Sequence, residues 1–131
     1  VTERIGTVMG VTGRQTWSAA PRIAQYTVST MHADEQSGAA WAKERDRLRY
    51  LLVTRRTALN EACSKLGVPL NPTMDGFFAW IESDDPAALA EACADQDVYL
   101  VPLTGGVRIG LCAVPLSQIP RVAEALANAL P

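Results

Sequence analysis

The segment SGAAWAKERDRLRYLLVTRRTALNEACSKLGVP, residues 37–69, decides how the rest of the chain is read. Trp41, Leu48, Leu52, Leu59, Cys63 and Leu66 recur in it at helical spacing with charged residues between them, so one stripe of a long helix is apolar and the remainder is solvated. Gly67 can take the left-handed conformation that closes a helix, Lys65 complements the negative end of the helix dipole, and Pro69 cannot continue the hydrogen-bond ladder. The spacing predicts an amphipathic helix over about Ser37–Leu66.

Such a helix needs a surface to cover its stripe, and the residues after it supply a sheet. Phe77–Ile81, apolar at nearly every position after Asp75-Gly76, reads as a strand covered on both faces. Asp84-Asp85-Pro86 offers an N-cap followed by a proline in the first turn, opening a short helix to about Ala94. Val98–Val101 and Val107–Cys112 are β-prone runs separated by Thr104-Gly105-Gly106. Ser117 is placed to cap a last helix with Ile119, Val122, Leu126 and Leu130 as its buried stripe and Pro120 in its first turn. The order β-α-β-β-α after the long helix gives an α/β fold, a small mixed sheet packed by helices.

On the N-terminal side, Ile5, Val8 and Val11 lie among Thr and Gly, and Arg4–Val11 is expected to be a strand ended by a turn at Thr12-Gly13. A helix is expected from about Trp17 to Met31, with Ser18 ahead of it and Pro21 in its first turn.

The chain's 131 residues suffice for one domain with a hydrophobic core. Twelve basic and fourteen acidic side chains, a formal charge of −2, provide no basic field for nucleic acid or an anionic membrane. Cys63, Cys93 and Cys112 are widely spaced without a Cys-x-x-Cys pair and suggest neither a disulfide framework nor a structural zinc site; they fit a reducing cytoplasm. No apolar run approaches the roughly eighteen residues of a membrane span. Because the chain opens at Val1 rather than a methionine, a cleaved or truncated product is expected.

Within Val107–Cys112 a period of two puts Arg108, Gly110 and Cys112 on one face. A guanidinium beside small residues has room for a ligand, and its planar fork of donors suits a carboxylate through two parallel hydrogen bonds. The alternative for Arg108 is a solvated surface arginine.

Several motifs in order resemble the last third of the fold-type-I aminotransferases, especially the aspartate and aromatic amino-acid branch. Glu3-Arg4-Ile5-Gly6 resembles the Glu-Arg-Val-Gly segment downstream of that family's Schiff-base lysine, and Trp41–Gly67, with Arg49 and Arg56 at matching intervals, resembles the long helix of its small domain. Asp75-Gly76-Phe77-Phe78, Val98-Tyr99-Leu100 and Arg108-Ile109 resemble three later strand segments. The resemblance implies that Arg108 binds the substrate's α-carboxylate, that Arg4 holds the phosphate of pyridoxal phosphate, and that Ser18 lies near that phosphate. It also implies that residues 1–16 are a strand and connection of an absent large domain, that residues 17–131 are the small domain, and that the complete enzyme is a homodimer acting on amino acids and 2-oxo acids. Between Arg4 and Ser18 the chain is shorter than the family pattern by most of a helix.

The resemblance places the Schiff-base lysine before Val1. Lys43 and Lys65 are the lysines present, and both read as surface residues of the long helix, whereas a lysine that captures an aldehyde is desolvated so that its pKa falls. The isolated chain is therefore expected to be inactive, and to self-associate through the unpaired edge of Arg4–Val11. His32 lacks a discernible partner, Asp84 and Asp85 read as capping residues, Gly105-Gly106 opens a strand rather than the helix a phosphate loop needs, and Trp17, Trp41 and Trp80 read as core or interface. Two other readings stand beside the enzyme: a stand-alone ligand-binding or regulatory α/β module, and an interaction domain docking through the apolar surface around Phe78 and Trp80.

Overall fold

A computed structural model of the chain describes residues 2–16, 21–73 and 76–130. They fall into two units, Val1–Arg45 and Asp46–Pro131.

In the first unit Thr2–Thr16 is a helix, α1, and not the strand expected over Arg4–Val11. Ile5, Val8, Met9 and Thr12 are spaced by three and four, which puts them along one helical face as readily as β-branching favours a strand. Glu3 in the first turn and Arg14 in the last complement the helix dipole. Thr7 donates its hydroxyl to the Glu3 carbonyl at 3.0 Å, and Thr12-Gly13 lies inside the helix instead of ending a strand. A helix satisfies its own backbone groups, so the unpaired strand edge, and the association expected through it, is not a property of this segment.

Helix α2 covers Arg22–Ala33, with Pro21 at its N-cap rather than in its first turn; Trp17 and Ser18 lie outside the described residues. Asp34 separates it from α3, Glu35–Leu66, and accepts a 2.8 Å hydrogen bond from the Ser37 amide. Hydrogen bonding to Ser37 holds the Asp34 carboxyl below its ordinary pKa. Trp41 is exposed instead of core, meeting His32 edge-on with ring centroids 5.0 Å apart and carrying the Arg45 guanidinium 5.0 Å from its own centroid.

In the second unit the buried stripe of α3 is Leu52, Arg56, Leu59 and Cys63, while Leu48 and Leu66, expected on that stripe, are exposed. The helix closes as its sequence requires. Gly67 has φ 72°, the Gly67 amide donates to the Ser64 carbonyl at 3.4 Å and the Val68 amide to the Cys63 carbonyl at 2.9 Å, the paired bonds of a glycine-terminated helix. The second helix of this unit, α4 (Pro86–Ala94), ends similarly, the Val98 amide donating to the Cys93 carbonyl at 3.0 Å, with Asp97 at φ 57° where a glycine is usual. Asp85 caps its start, accepting from the Ala88 amide at 3.0 Å, as expected.

Three strands, β1 (Phe78–Glu82), β2 (Val101–Leu103) and β3 (Gly106–Gly110), form a sheet of order β1-β3-β2. The α/β class stands, but both pairings are antiparallel and the sheet is not mixed. Pairing with β3 starts at Val101, so the strand expected over Val98–Val101 is displaced towards the Thr104-Gly105 turn, where Gly105 takes φ 86°. The expected strand Val107–Cys112 ends at Gly110. β1 is covered on one face only: Ala79 and Ile81 are buried, whereas Phe78 and Glu82 are exposed. A 3-10 turn, Leu116–Gln118, precedes α5, Ile119–Ala129; Ser117 sits in that turn and Gln118, without a side-chain bond, occupies the N-cap. Ile119, Val122 and Leu126 form the buried stripe as expected, joined by Ala123 and Ala125, whereas Leu130, also expected on it, follows the helix and is half-buried.

Leu59 and Cys63 of α3, Leu89 and Cys93 of α4 and the stripe of α5 share one buried cluster with Ala79, Ile81, Val107 and Ile109. Helices of this unit therefore cover one face of the sheet, and among its described residues the buried cluster does not extend to the other. Truncating a core leucine such as Leu59, fully buried here, costs about 2–5 kcal/mol through lost transfer energy and the cavity left behind.

Burial raises the thiol pKa of Cys63 from its usual 9.0 to about 11, and raises that of Cys93, because the thiolate is disfavoured away from water. A raised folded-state pKa contributes stability that is complete below the unfolded value and is lost as pH rises, here between 9.0 and about 11 for Cys63. At neutral pH one equivalent of a thiol reagent is expected to react quickly, at exposed Cys112, with the other two reacting only on unfolding. Rapid modification of all three in native protein would contradict this core.

Candidate functional site

The open face of the sheet is built by cross-strand pairs. Phe78 faces Gly110, Trp80 faces Arg108 and Glu82 faces Gly106, while the alternating pairs Ala79–Ile109 and Ile81–Val107 point into the core. Of the row expected beside Arg108, Gly110 is present; Cys112 falls beyond the strand and is exposed, and Gly106 is the second small neighbour. The two glycines differ. A Cβ on Gly106 would collide with the Ile81 carbonyl oxygen and lie 2.7 Å from the Trp80 indole, so that space is filled, whereas a Cβ on Gly110 would meet nothing within 4 Å.

Arg108 is half-buried, with Cζ 4.4 Å from the Phe78 ring centroid. Among the described residues it has no hydrogen-bond or ion-pair partner. It lines a cleft of ≈ 350 Å³ with Tyr99, Val101, Gly110, Val114 and Arg121. Arg121 is already committed, its Nη2 donating to Asp97 at 3.0 Å and to the Gln96 carbonyl at 2.9 Å. Arg108 thus presents a planar set of donors, partly shielded from water, towards mostly apolar walls. That arrangement can take a carboxylate through two parallel bonds while apolar groups of the same ligand rest on the walls.

The other expected residues lie elsewhere. Arg4 is exposed on α1 in the Val1–Arg45 unit, and Ser18 is outside the described residues. Lys43 and Lys65 are exposed on α3 and neither lines the cleft. His32 is exposed against Trp41, Asp85 is a cap, and Gly105 is a turn residue. Among the described residues no group of three or more His, Cys, Asp or Glu is placed to hold a metal, and no helix is long and apolar enough to cross a membrane.

Two residues that the sequence reading left unremarked as structural parts hold this face in place. Arg56, with 1% of its surface exposed, donates Nη2 to the Phe78 carbonyl at the start of β1. Arg55 donates Nη1 to the carbonyls of Leu111 and Cys112, at 2.8 and 3.0 Å, just after β3. The signal for Arg56 was its position four residues after Leu52 and three before Leu59, inside the apolar stripe.

The family described as aminotransferase class I and II matches residues 2–126. Among solved structures, an aminotransferase from Anaerococcus prevotii is similar at 21% identity and TM-score 0.80, over 97% of this chain and 31% of that one. Two Thermus thermophilus aspartate aminotransferase tetra mutants are similar at 22% identity. One, complexed with tryptophan, has TM-score 0.65 over 95% of this chain and 34% of its own; the other has 0.67 over 95% and 36%. The chain spans about a third of the length of these structures. No curated protein matches.

Arg56→Met keeps an apolar stem but strands the Phe78 carbonyl, and is expected to lower unfolding free energy by about 1–3 kcal/mol, with Arg56→Lys milder because an ammonium can still donate. Urea denaturation checks this, and an unchanged midpoint in Arg56→Met would show that the buried guanidinium contributes nothing to stability.

Proposed function

The chain belongs to the class I and II aminotransferases, and we propose that it forms the small domain of an enzyme that moves an amino group between an amino acid and a 2-oxo acid with pyridoxal phosphate. The observation that carries this reading is Arg108: a half-buried guanidinium without a polar partner among the described residues, beside open space over Gly110. A substrate α-carboxylate fits that space. Bound through two bonds to one rigid strand, it fixes the direction in which Cα and its proton point, which is the positioning contribution a binding group makes to rate.

Pyridoxal phosphate, when bound, supplies the electron sink for charge that develops at Cα. Of this chain's residues, Arg4 has the charge and exposure to reach the cofactor phosphate, with Ser18 proposed beside it. Lys43 and Lys65 do not fit the cofactor's aldehyde: both are exposed on the long helix, whereas a lysine that captures an aldehyde sits desolvated in a pocket. The Schiff-base lysine, the aspartate for the pyridine nitrogen and the stacking aromatic are therefore assigned to a large domain outside these 131 residues, with residues 1–16 adjoining it and residues 17–131 making the small domain. Exposed Ile5, Val8, Met9, Ile23 and Tyr26 suit burial against that domain or the second subunit of a homodimer. The three free cysteines fit a reducing cytoplasm.

On this reading the 131 residues alone do not transaminate. A borohydride-reducible cofactor adduct at Lys43 or Lys65, accompanied by turnover, would contradict it.

In the complete enzyme Arg108→Ala is expected to lower kcat/KM by about thirtyfold or more, the equivalent of losing one member of a buried, hydrogen-bonded charge pair at about 2–5 kcal/mol. Arg108→Lys should recover only part, since an ammonium lacks the fork. Steady-state kinetics on both variants decide the matter; unchanged values would return Arg108 to the role of a solvated surface arginine.

A further inference from the structure

An arginine side chain has four rotatable bonds before its guanidinium, and a carboxylate site built on one loses binding energy whenever that plane wanders. The surroundings of Arg108 limit the wandering in two ways. Towards Gly106 the surface is occupied by the Trp80 indole, which lies so close that even a methyl group on Gly106 would meet it at 2.7 Å. Towards Gly110 nothing lies within 4 Å of the equivalent point, and it is Phe78, paired with Gly110 across the strands, whose ring centroid sits 4.4 Å from the Arg108 Cζ. Phe78 is 48% exposed and lies outside the buried cluster. Its backbone is anchored: the carbonyl of Phe78 is the acceptor for the buried Arg56.

We propose that Phe78 is a positioning residue for substrate binding, its ring holding the Arg108 guanidinium at the open side of the strand, over Gly110, so that the donor edge faces the carboxylate. A cation over an aromatic face is attracted by the ring quadrupole without using any N–H donor, so the stacked guanidinium keeps its donors for the ligand. Contact with the ring also removes rotamer freedom before the ligand arrives, which lowers the entropic cost of binding. This inference rests on the reading of Arg108 as the carboxylate-binding residue.

The test uses the 131-residue chain, labelled at arginine, with 3-phenylpropionate as a carboxylate probe. In the free chain the Arg108 side-chain protons are expected to be shifted upfield by the Phe78 ring, in wild type and in Phe78→Tyr, and to lose that shift in Phe78→Leu. The probe should bind Phe78→Leu about two- to fivefold more weakly than wild type, with Phe78→Tyr close to wild type. Circular dichroism and the thermal midpoint confirm that both variants are folded. A purely structural role for Phe78 would lower the thermal midpoint of Phe78→Leu along with its probe affinity, whereas a positioning role weakens the probe with the midpoint held; the Arg108 shift reports the ring contact itself. Probe binding that requires Arg108 but is the same in Phe78→Leu as in wild type overturns the role of Phe78 alone. Binding that is absent from wild type, or that survives Arg108→Ala, overturns the carboxylate reading of Arg108 and the inference with it.

Discussion

The carbonyl of Phe78 accepts a hydrogen bond from a guanidinium that lies almost wholly out of water, and the second half of α3 is organised around that constraint. A buried charge is costly unless its donors are used, so Arg56 can occupy the stripe between Leu52 and Leu59 only if the helix is turned to bring it to a backbone acceptor. Two arginines in succession then fix two different chain segments. Arg56 holds the first residue of β1, and Arg55 holds the carbonyls that follow β3. Since β1 and β3 are direct neighbours, a shift of either by one residue would exchange its core face for its open face.

That exchange would abolish the site. With Ala79, Ile81, Val107 and Ile109 inward, Arg108 must face outward together with Trp80 and Phe78. Among the described residues of this unit the buried cluster lies on one side of the sheet, and the other side brings together an arginine, two aromatic rings and two glycines, only one of which has its space filled. A side chain at Gly106 would collide with the Ile81 carbonyl oxygen and then with the Trp80 ring, while Gly110 is free of such crowding.

Elements encoded by local signals were legible in the sequence. The end of α3 at Gly67 and the start of α4 at Asp85-Pro86 depend on residues within one turn, and both formed as those residues dictate. Arg4–Val11 was misread because Ile5, Val8 and Val11 satisfy β propensity and helical spacing together, and end charges at Glu3 and Arg14 favour the helix. Val98–Val101 was misplaced because strand limits are set by pairing with β3 and by the turn at Gly105, which composition does not report. Arg108 was singled out as a candidate from its own strand alone. The placement of Phe78 and Trp80 on the face of Arg108, and the difference between Gly106 and Gly110, were not legible, because they depend on cross-strand register. Arg56 was missed as a core residue because a charge in an apolar stripe breaks the pattern used to read it.

The central claim is that α3 from Leu52 onward, the sheet and α5 form one cooperative core that holds Arg108 on its open face. Native-state amide hydrogen exchange, followed residue by residue in low concentrations of denaturant, tests it most directly. The account predicts that the amides of Leu59, Cys63, Ile109 and Leu126 exchange through a single opening with a common free energy and a common denaturant dependence. Exchange of the Leu59 and Cys63 amides through a smaller opening that leaves Ile109 and Leu126 protected would show that α3 is only laid against the sheet, and would contradict the account.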